Sequence, residues 1–482
     1  MNYETIIGLE IHAELNTKSK IFCGCSTKFA SEPNENTCPV CLGLPGTLPV
    51  LNEEVVNFAV KAGMALNCKI NNISKMDRKN YFYPDLPKAY QISQYDQPIC
   101  SEGAVEFDCE GRHVKIRINR IHIEEDAGKL IHLDDEPYSL VDYNRTGVPL
   151  IEIVSEPDMR SPLEAVTFLR ILKSILEYGE ISDCRMEQGS LRCDANISVR
   201  PAGQKEYNTK VELKNINSFR ELQKALEKEE KRQTELYRFD ESHKIVQETR
   251  RWDNGKGRTV PMRSKEEAHD YRYFPEPDLV PVIINEAAVA EIKSSLPELP
   301  MEKYRRFTDE YKLSTDDADI LTGDRYLSEF FENTVNEGAL PKAAANWVLG
   351  DMLRLINENS ISPQYIPVKP ANLHRLIAMV EGGKISNTAG KEILREMFTD
   401  GGTPEEIVEK KGLVQISSEG DLLELIRRVL EENPKSIADY RSGKTQAAGY
   451  LVGQVMKASQ GRANPGMVRE LLIRELGQRG QG

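Results

Sequence analysis

A two-residue alternation of apolar and polar side chains runs through the first 290 residues and constrains the fold more than any other feature. In residues 5–15 the apolar side chains fall on one side of an extended chain, and Glu10 and His12 fall on the other. Residues 191–199 alternate in the same way. Such strands bury one face and leave the other polar, so the pattern predicts an antiparallel sheet with one open face.

One strand of this region changes phase along its length. Its apolar positions follow one alternation up to Ile118 and resume in the opposite phase at Ile121. A one-residue slip is typical of an extra, unpaired residue in one strand of an antiparallel pair. We therefore expect a β-bulge near Asn119-Arg120.

The pattern changes after Pro281, where strand alternation fades and apolar residues recur at helical spacing. Two segments rich in proline or glycine, residues 296–300 and 399–404, are typical of breaks between structural units. The sequence thus predicts an α+β protein with an antiparallel-sheet domain, a helical domain and a small helical tail domain. We expect their limits at residues 1–294, 295–405 and 406–482.

Composition limits the class of protein. The chain of 482 residues carries 63 Lys+Arg against 76 Asp+Glu, a net charge of −13. So acidic a total argues against a protein that coats nucleic acid without specificity. No stretch approaches the roughly 18 apolar residues of a membrane helix, and the acidic opening Met1-Asn2-Tyr3-Glu4 is unlike a signal peptide. We therefore expect a cytoplasmic protein that does not enter a membrane.

Charge is unevenly distributed, and the last 42 residues are basic. They contain seven basic residues and two acidic ones, a net charge of +5. The basic residues are Arg441, Lys444, Lys457, Arg462, Arg469, Arg474 and Arg479. A basic tail can dock a polyanion, or it can be the solvated surface of a helix, and composition alone favours the second interpretation.

Four of the nine cysteines lie within one short segment, as Cys23-x-Cys25 and Cys38-x-x-Cys41. In a reducing compartment such pairs indicate metal ligands before disulfides, and four thiolates at this spacing suit a tetrahedral, structural Zn²⁺. Four free thiols are the alternative. The remaining cysteines are scattered singly, and we expect them to be small buried side chains.

Carboxylates on the strand faces indicate a second metal site. Glu10 and His12 share a face because they are two residues apart, and Glu125 ends another strand. Glu152 interrupts the apolar run of residues 149–154, which is costly unless the carboxylate is paired or bound to a metal. These groups can hold a hard cation such as Mg²⁺, or each can simply face solvent, and Glu152 favours the metal.

Basic residues on the same strands can bind phosphate. Lys79 lies just before the aromatic run of residues 81–83. Arg192, Lys210 and Lys214 project from the polar faces of their strands. Such cations hold phosphate oxygens and the charge that develops in phosphoryl transfer. No common nucleotide-binding motif accompanies them, so ATP would bind on an uncommon platform.

Seven long motifs carry a resemblance to a known family. They are IGLEIHAEL (7–15), DRKNYFYPD (77–85), HIEEDAGK (122–129), DYNRTGVPLIE (142–152), GSLRCDAN (189–196), ELKNINS (212–218) and LVGQVMKAS (451–459). In their order and over essentially the whole chain, they resemble the B subunit of the bacterial glutamine-dependent aspartyl/glutamyl-tRNA amidotransferases.

The resemblance implies an enzyme subunit. In that family an antiparallel-sheet cradle uses ATP and Mg²⁺ to phosphorylate the side-chain carboxylate of Glu or Asp mischarged on tRNA(Gln) or tRNA(Asn), and ammonia then amidates the acyl phosphate. An amidase-type A subunit makes that ammonia from glutamine, and a small C subunit completes the heterotrimer. The helical and tail domains reach the tRNA, so the basic tail becomes an expected tRNA contact. The sequence leaves open whether one mischarged tRNA or both are substrates.

The resemblance also assigns residues. The family's Mg²⁺ site falls on His12, Glu125 and Glu152, with Glu10 beside it in the catalytic group and Asp194 as a further candidate. The expected phosphate contacts, on charge and motif position, are Lys79, Arg192, Lys210 and Lys214. Some family members lack the four clustered cysteines and remain active, which supports a structural Zn²⁺. A non-catalytic RNA-binding scaffold is the alternative, but it has no use for three carboxylates beside an anionic ligand.

Overall fold

A computed structural model of the chain gives an α+β fold, as the alternation of the sequence predicts. It describes residues 2–133, 136–264, 271–412, 419–442, 444–459 and 463–478. The chain divides into two compact units, residues 1–300 and 301–482. The expected three-domain division, with limits at residues 294 and 405, stays a prediction.

The described strands lie in the first unit, together with four of the helices. In chain order, β1 to β16 span Tyr3–Glu14, Lys69–Ile70, Ile73–Ser74, Asp77–Asn80, Tyr90–Ser93, Cys100–Cys109, Arg112–Glu125, Lys129–His132, Ser139–Asp142, Pro149–Ser155, Leu191–Pro201, Val211–Lys214, Glu248–Asp253, Arg258–Ser264, Phe274–Pro275 and Val282–Ile283. The helices α1 to α4 span Glu53–Ala65, Pro162–Tyr178, Phe219–Arg238 and Glu286–Ser294.

Nine strands form one large sheet in the order β14-β13-β12-β11-β1-β10-β7-β6-β2. Neighbouring strands run antiparallel except β12 and β13, which are parallel. Smaller sheets join β15, β4 and β5, and they pair β16 with β3 and β8 with β9. The predicted antiparallel architecture is therefore confirmed, with one parallel pair as its exception.

One face of the large sheet is buried against helices. Helix α2 packs against β1 and β6, α3 against β11 and β14, and α1 against β6 and β7. Ile7, Leu9 and Ile11 of β1 are at most 1% exposed in this core. Glu10 and His12, which alternate with them, are only partly buried. The alternation of β1 thus separates an apolar core face from a polar face, as the sequence predicts.

The predicted β-bulge is confirmed in β7. Val154 of β10 pairs with Arg120, and Ser155 pairs with Ile118, so Asn119 has no counterpart in β10. The extra residue reverses the phase of the alternation. It therefore sets which of the last residues of β7 point to the polar face.

The second unit is helical where it is described, as the spacing of its apolar residues predicts. Its helices α5 to α16 span Pro300–Asp309, Thr315–Thr322, Arg325–Asn336, Pro341–Asn346, Leu353–Glu358, Pro370–Glu381, Asn387–Thr399, Pro404–Lys411, Glu419–Glu432, Pro434–Arg441, Gln446–Ala458 and Pro465–Gln478. Buried apolar residues form one core between residues 307 and 408 and another between residues 422 and 476. Among the described residues, none of the helices is long and apolar enough to cross a membrane.

Candidate active site

The polar face of the large sheet gathers charged side chains from adjacent strands. His12 of β1 lies opposite Glu152 of β10, and His122 of β7 lies on the other side of Glu152. Arg192 of β11 flanks His12 on its second side. Directly opposed residues of antiparallel strands share a face, so this register brings the side chains together.

His12, Glu124 and Glu152 form a compact group, called here the carboxylate–imidazole centre. The Nε2 atom of His12 lies 3.4 Å from Oε1 of Glu124 and 3.4 Å from Oε2 of Glu152. One potential ligand atom of each residue lies within 4.8 Å of the others. His122 supports the group, with its Nε2 atom 3.0 Å from Oε2 of Glu152.

The charges of this centre stabilise one another. Burial lowers the pKa of His12, but the Glu152 and Glu124 carboxylates outweigh it and raise this pKa to about 9. Burial would raise the pKa of Glu152, but the imidazoles of His122 and His12 hold it well below its usual range. The two carboxylates therefore attract a positive charge into the space between them.

The geometry of the centre fits a divalent cation. Neighbouring ligands of an octahedral Mg²⁺ with bonds of about 2.1 Å lie about 3.0 Å apart, and opposite ligands lie about 4.2 Å apart. The potential ligand atoms of His12, Glu124 and Glu152 fall within 4.8 Å of one another, which small side-chain movements bring into that range. The two carboxylates suit Mg²⁺, whereas an imidazole is the softer donor of the three.

The structure places Glu125 apart from the carboxylate–imidazole centre, and the expected role of Glu125 as a metal ligand stays a prediction. It does not bring this carboxylate to His12 and Glu152. Oε2 of Glu125 accepts a hydrogen bond of 2.7 Å from Nζ of Lys88, and Oε1 accepts one of 2.8 Å from the backbone N–H of Ile92. Successive side chains of a strand point to opposite faces, so residues 124 and 125 cannot both reach one centre.

Glu124 is the member of the centre that the sequence patterns did not single out. A signal for it was present, because Glu124 is two residues after His122 in β7 and shares its face. The sequence alone does not show whether His122 and Glu124, which follow the bulge, point to the polar face or to the core. The strand pairing settles it, since Glu124 lies opposite Leu150 and His122 opposite Glu152.

Glu10 and Asp194 lie beside the centre. They oppose each other across β1 and β11. Oε1 of Glu10 accepts a hydrogen bond of 2.8 Å from the side-chain amide of Asn196, and Asp194 forms an ion pair with Lys214. Burial would lower the pKa of Lys214, but Asp194 and Glu212 raise it. Together they form a second group of charged and polar side chains on the polar face, beside the group around His12.

The four expected phosphate contacts occupy different surroundings. Nη2 of Arg192 donates to Oδ2 of Asp126 at 2.5 Å. The ammonium of Lys79 lies 4.8 Å from the ring centroid of Tyr271 and 5.7 Å from that of Tyr81. Lys210 lines a cavity that also contains Glu10. Arg192 lies directly opposite His12, and both Arg192 and Lys214 have acidic partners.

Aromatic rings lie close to the centre. Tyr95 and Tyr273 stack with ring centroids 4.4 Å apart, and Tyr271 meets Tyr273 edge-on at 6.2 Å. Burial raises the pKa of Tyr273, and the Glu124 and Glu152 carboxylates raise it further. Tyr273 therefore keeps its proton and lies near both carboxylates. The aromatic run at residues 81–83 is evident in the sequence, but the grouping of these three rings is not.

The four clustered cysteines come together as predicted, and they form the thiolate cluster. The Sγ atoms of Cys23 and Cys41 are 3.6 Å apart, and those of Cys38 and Cys41 are 3.8 Å apart. All four Sγ atoms, including that of Cys25, lie within 4.8 Å of one another. A tetrahedral Zn²⁺ with Zn–S bonds of about 2.3 Å needs S···S separations of about 3.8 Å. The residues present therefore fit this ion.

A buried lysine faces the thiolate cluster. Lys20 is 1% exposed, and its ammonium donates to Sγ of Cys41 at 3.4 Å and to the carbonyl of Asn36 at 2.8 Å. The hydrogen bond from Cys23 lowers the pKa of Cys41, and the charge of Lys20 lowers it further. The cluster thus already favours a thiolate at Cys41.

The basic tail is only partly described. Arg462 and Arg479 lie outside the described residues. Lys444 forms an ion pair with Asp439 at 2.8 Å, and Arg474 pairs with Glu419. Lys457 and Arg469 are exposed, and no ion pair of either is found among the residues that the structure describes.

The site defines a class of protein. An antiparallel sheet that gathers two carboxylates and two imidazoles on its polar face, with cations and aromatic rings around them, suits an enzyme for anionic substrates that uses a divalent cation. The comparisons with known proteins agree with this description. Residues 5–290 match the GatB/GatE catalytic domain, and residues 329–476 match the GatB domain. The chain belongs to the GatB family.

The chain resembles its relatives over its full length. It is 63% identical to the B subunit of the aspartyl/glutamyl-tRNA(Asn/Gln) amidotransferase of Clostridium beijerinckii over 478 residues, which cover 99% of this chain and 100% of the relative. It is 59% identical to the protein of the same name from a Thermoanaerobacter species, over 99% of this chain and 100% of the relative. For Caldicellulosiruptor bescii the identity is 52%, over 99% of both chains.

Proposed function

We propose that this chain is the B subunit of a tRNA-dependent amidotransferase, a ligase that converts Glu-tRNA(Gln), Asp-tRNA(Asn) or both into the amidated aminoacyl-tRNAs. Similarity to proteins of that name over 99% of the chain supports the proposal. The observation that carries its chemistry is the grouping of Glu124 and Glu152 around His12 on the polar face. Such a centre is what ATP-dependent activation of a carboxylate requires.

The carboxylate–imidazole centre would hold Mg²⁺. A bound Mg²⁺ neutralises charge on the nucleotide phosphates and so favours phosphoryl transfer. Glu124 and Glu152 would supply oxygen ligands, and His12 must be neutral before its nitrogen can bind a metal. His122, at 3.0 Å from Glu152, would fix the orientation of that carboxylate.

The first chemical step would activate the Glu or Asp that is mischarged on the tRNA. Its side-chain carboxylate attacks the γ-phosphorus of ATP, the bond to ADP breaks, and an acyl phosphate forms. The carboxylate is ionised at neutral pH, so the chain needs no strong base for this step. Arg192, which lies opposite His12, and Lys214 and Lys79 would act through their positive charges, which attract phosphate oxygens.

The second step would form the amide. Ammonia attacks the acyl carbon, the bond to phosphate breaks, and the nitrogen loses a proton to solvent or to the departing phosphate. Water competes with ammonia for the acyl phosphate, so the site must exclude it. The rings of Tyr95, Tyr271 and Tyr273 would provide that barrier, since Tyr273 interacts with the charges of Glu124 and Glu152 and packs against the other two rings.

The proposal includes partners that the chain itself does not contain. An amidase-type A subunit would supply ammonia from glutamine, and a small C subunit would complete a cytoplasmic heterotrimer. Exposed cations of the tail, such as Lys457 and Arg469, would contact the phosphates of the tRNA. The thiolate cluster would hold a structural Zn²⁺ that fixes the polar segment between Cys25 and Cys38, and it offers no open position for chemistry.

A single substitution tests the proposed function. In the complex reconstituted with its partner subunits, we expect Glu152→Gln to abolish ATP-dependent amidation of Glu-tRNA(Gln) and Asp-tRNA(Asn). Glutamine hydrolysis and tRNA binding should persist, because Glu152 lies in the carboxylate–imidazole centre. Glu106→Gln is the matched control, since Glu106 is exposed on β6 and pairs with Lys115. Amidation that survives Glu152→Gln would exclude this centre from the chemistry and would favour the role of an RNA-binding scaffold for this chain within the complex.

A further inference from the structure

The connection between β9 and β10, residues 143–148, touches two parts of the molecule that the proposed chemistry treats separately. It is called here the linking turn. On one side it contacts the segment that carries the clustered cysteines, and on the other it contacts the end of β7. The chemistry proposed above gives its side chains no role, so these contacts need a separate explanation.

The first set of contacts joins the linking turn to the polar segment between Cys25 and Cys38. The side-chain amide of Asn144 donates to the carbonyl of Glu32 at 2.6 Å, and its Oδ1 accepts from the backbone N–H of Asn36 at 2.8 Å. The backbone N–H of Tyr143 donates to the side-chain oxygen of Asn34, also at 2.8 Å. The turn is therefore held by residues that lie inside the loop closed by the thiolate cluster.

This loop depends on the thiolate cluster for its shape. None of residues 26–37 is buried, so packing of apolar side chains does not fix them. The cysteines at either end would fix them by sharing one metal ion. Lys20 adds a direct link, because its ammonium donates both to Sγ of Cys41 and to the carbonyl of Tyr143.

The second set of contacts fixes Asp126, the residue that follows β7. Nε of Arg145 lies 3.3 Å from Oδ2 of Asp126, and the same guanidinium donates to the carbonyls of residues 127–128 at 3.0 Å. The backbone N–H of Asp126 donates to the carbonyl of Val148 at 2.8 Å, and that of Gly147 donates to the carbonyl of Asp126 at 3.0 Å. The linking turn thus determines where the buried Asp126 carboxylate lies.

Asp126 in turn holds Arg192 beside the carboxylate–imidazole centre. Its Oδ2 accepts a hydrogen bond of 2.5 Å from Nη2 of Arg192, which lies directly opposite His12 in the pairing of β1 and β11. Among the residues that the structure describes, Asp126 is the only acidic partner of Arg192 within ion-pair distance. An arginine side chain has many rotamers, so the position of this guanidinium depends on that anchor.

We propose that zinc bound at the thiolate cluster keeps Arg192 in place through the linking turn, with Arg145 and Asp126 as positioning residues. The proposal rests on the function proposed above, in which Arg192 attracts phosphate oxygens. It adds a coupling between the occupancy of a structural metal site and the rate of phosphoryl transfer. A contiguous chain of hydrogen bonds provides the physical route. A family member without these cysteines would have to hold the turn by other contacts.

Hydrogen exchange tests the link between the cluster and the turn without any enzyme assay. Zinc is removed from the reconstituted complex with a chelator, the chelator is washed out, and Mg²⁺ is restored. The amides of Asp126 and Gly147 should then exchange about tenfold faster or more, because the turn that pairs them has lost its support. The amide of Val105, which lies in β6 and pairs with Ile116, is the control and should not change.

A substitution in the turn tests the same link with zinc in place. Asn144→Ala removes the bonds to Glu32 and Asn36, so it should speed exchange at Gly147 while the zinc content stays at that of the unmodified chain. Asn71→Ala is the matched control, since the Asn71 amide also donates to a backbone carbonyl, that of Pro98 at 2.8 Å. It should leave exchange at Gly147 unchanged.

Amidation kinetics test the link between the turn and Arg192. Asp126→Asn keeps an oxygen that can accept from the backbone N–H of Ala127 but removes the charge that anchors Arg192. It should lower kcat/KM for ATP by about 10–100-fold and leave glutamine hydrolysis unchanged. In an Arg192→Gln background, Asp126→Asn and zinc removal should each have little further effect, because there is no guanidinium left to position.

The outcomes separate this proposal from the proposed function. Unchanged exchange at Asp126 and Gly147 after loss of zinc would overturn the link to the cluster. Equal losses of kcat/KM with and without Arg192 would overturn Arg192 as its end point and leave Asp126 a structural role only. If zinc removal also speeds exchange at Val105, the sheet has opened, and Asn144→Ala decides instead. If the unmodified complex does not amidate, the proposed function fails, whereas hydrogen exchange still decides the link.

Discussion

Glu124 and Glu125 are adjacent in β7, yet their carboxylates belong to different environments. Oε1 of Glu124 lies 3.4 Å from Nε2 of His12 on the polar face. Oε2 of Glu125 accepts a hydrogen bond of 2.7 Å from Nζ of Lys88, and Oε1 accepts one from the backbone of Ile92. Alternation puts Glu124 on the same face as His122, and the β-bulge at Asn119 determines that this face is the polar one.

This difference predicts opposite effects for two neighbouring substitutions. We expect Glu124→Gln to lower the amidation rate by about 100-fold or more and to raise the Mg²⁺ concentration required for activity. Glu125→Gln should leave the Mg²⁺ requirement unchanged and lower the stability by about 1–3 kcal/mol, because it leaves the charge of Lys88 without its partner. Amidation rates measured against Mg²⁺ concentration and thermal melts distinguish the two. A Mg²⁺ requirement raised only by Glu125→Gln would contradict the observed grouping.

The thiolate cluster predicts bound zinc. We expect the purified protein to contain about one Zn²⁺ per chain and to lose it on treatment with a strong chelator. Loss of zinc should lower the melting temperature and expose the segment between Cys25 and Cys38 to proteases, which limited digestion can detect. Cys41→Ser should reproduce both effects. Cys68→Ser, at a cysteine outside the cluster, should change neither, and a wild-type protein free of zinc would disprove the assignment.

Lys20 should strengthen that zinc site from outside the ligand set. Its ammonium contacts Sγ of Cys41 and the carbonyls of Asn36 and Tyr143, so it links the cluster to the chain around residue 143. We expect Lys20→Met to weaken zinc affinity by about 10–100-fold, because the variant no longer offsets the negative charge of four thiolates. Competition with a colorimetric chelator measures this. Lys18→Met is the control at an exposed position, and equal affinities in the two variants would show that Lys20 contributes nothing.

The sequence predicts those features of the site that depend on local spacing. Alternation in β1 places Glu10 and His12 on one face, the phase slip predicts the bulge, and the spacing of the cysteines predicts their cluster. The choice between Glu124 and Glu125 depends on strand register, which local spacing does not contain.

Long-range contacts explain the rest of what the sequence could not predict. Tyr273 stacks on Tyr95, which lies more than 170 residues earlier in the chain. Lys88, which pairs with Glu125 of β7, lies in the connection between β4 and β5. No periodic signal links such positions. The predicted three-domain division depends likewise on packing between helices, and composition gives only the breaks between them.

The basic tail predicts a graded dependence of tRNA binding on salt. Deletion of the tail is a poor test, because Leu451 and Leu472 belong to the same core as Leu422 and their loss would unfold it. Point substitutions avoid this. Lys457 and Arg469 are exposed, so Lys457→Gln and Arg469→Gln should each reduce the slope of log affinity against log salt by about 1.

Lys444→Gln is the matched control for this prediction. Lys444 pairs with Asp439 at 2.8 Å, so its charge is already partly offset and its loss should change the slope less. Filter binding of tRNA to the reconstituted complex over a range of salt concentrations gives the slopes. Because a phosphate contact releases counterions whatever the RNA sequence, the reduction should be similar for different tRNAs. Unchanged slopes in both Lys457→Gln and Arg469→Gln would mean that these two cations are only solvated surface.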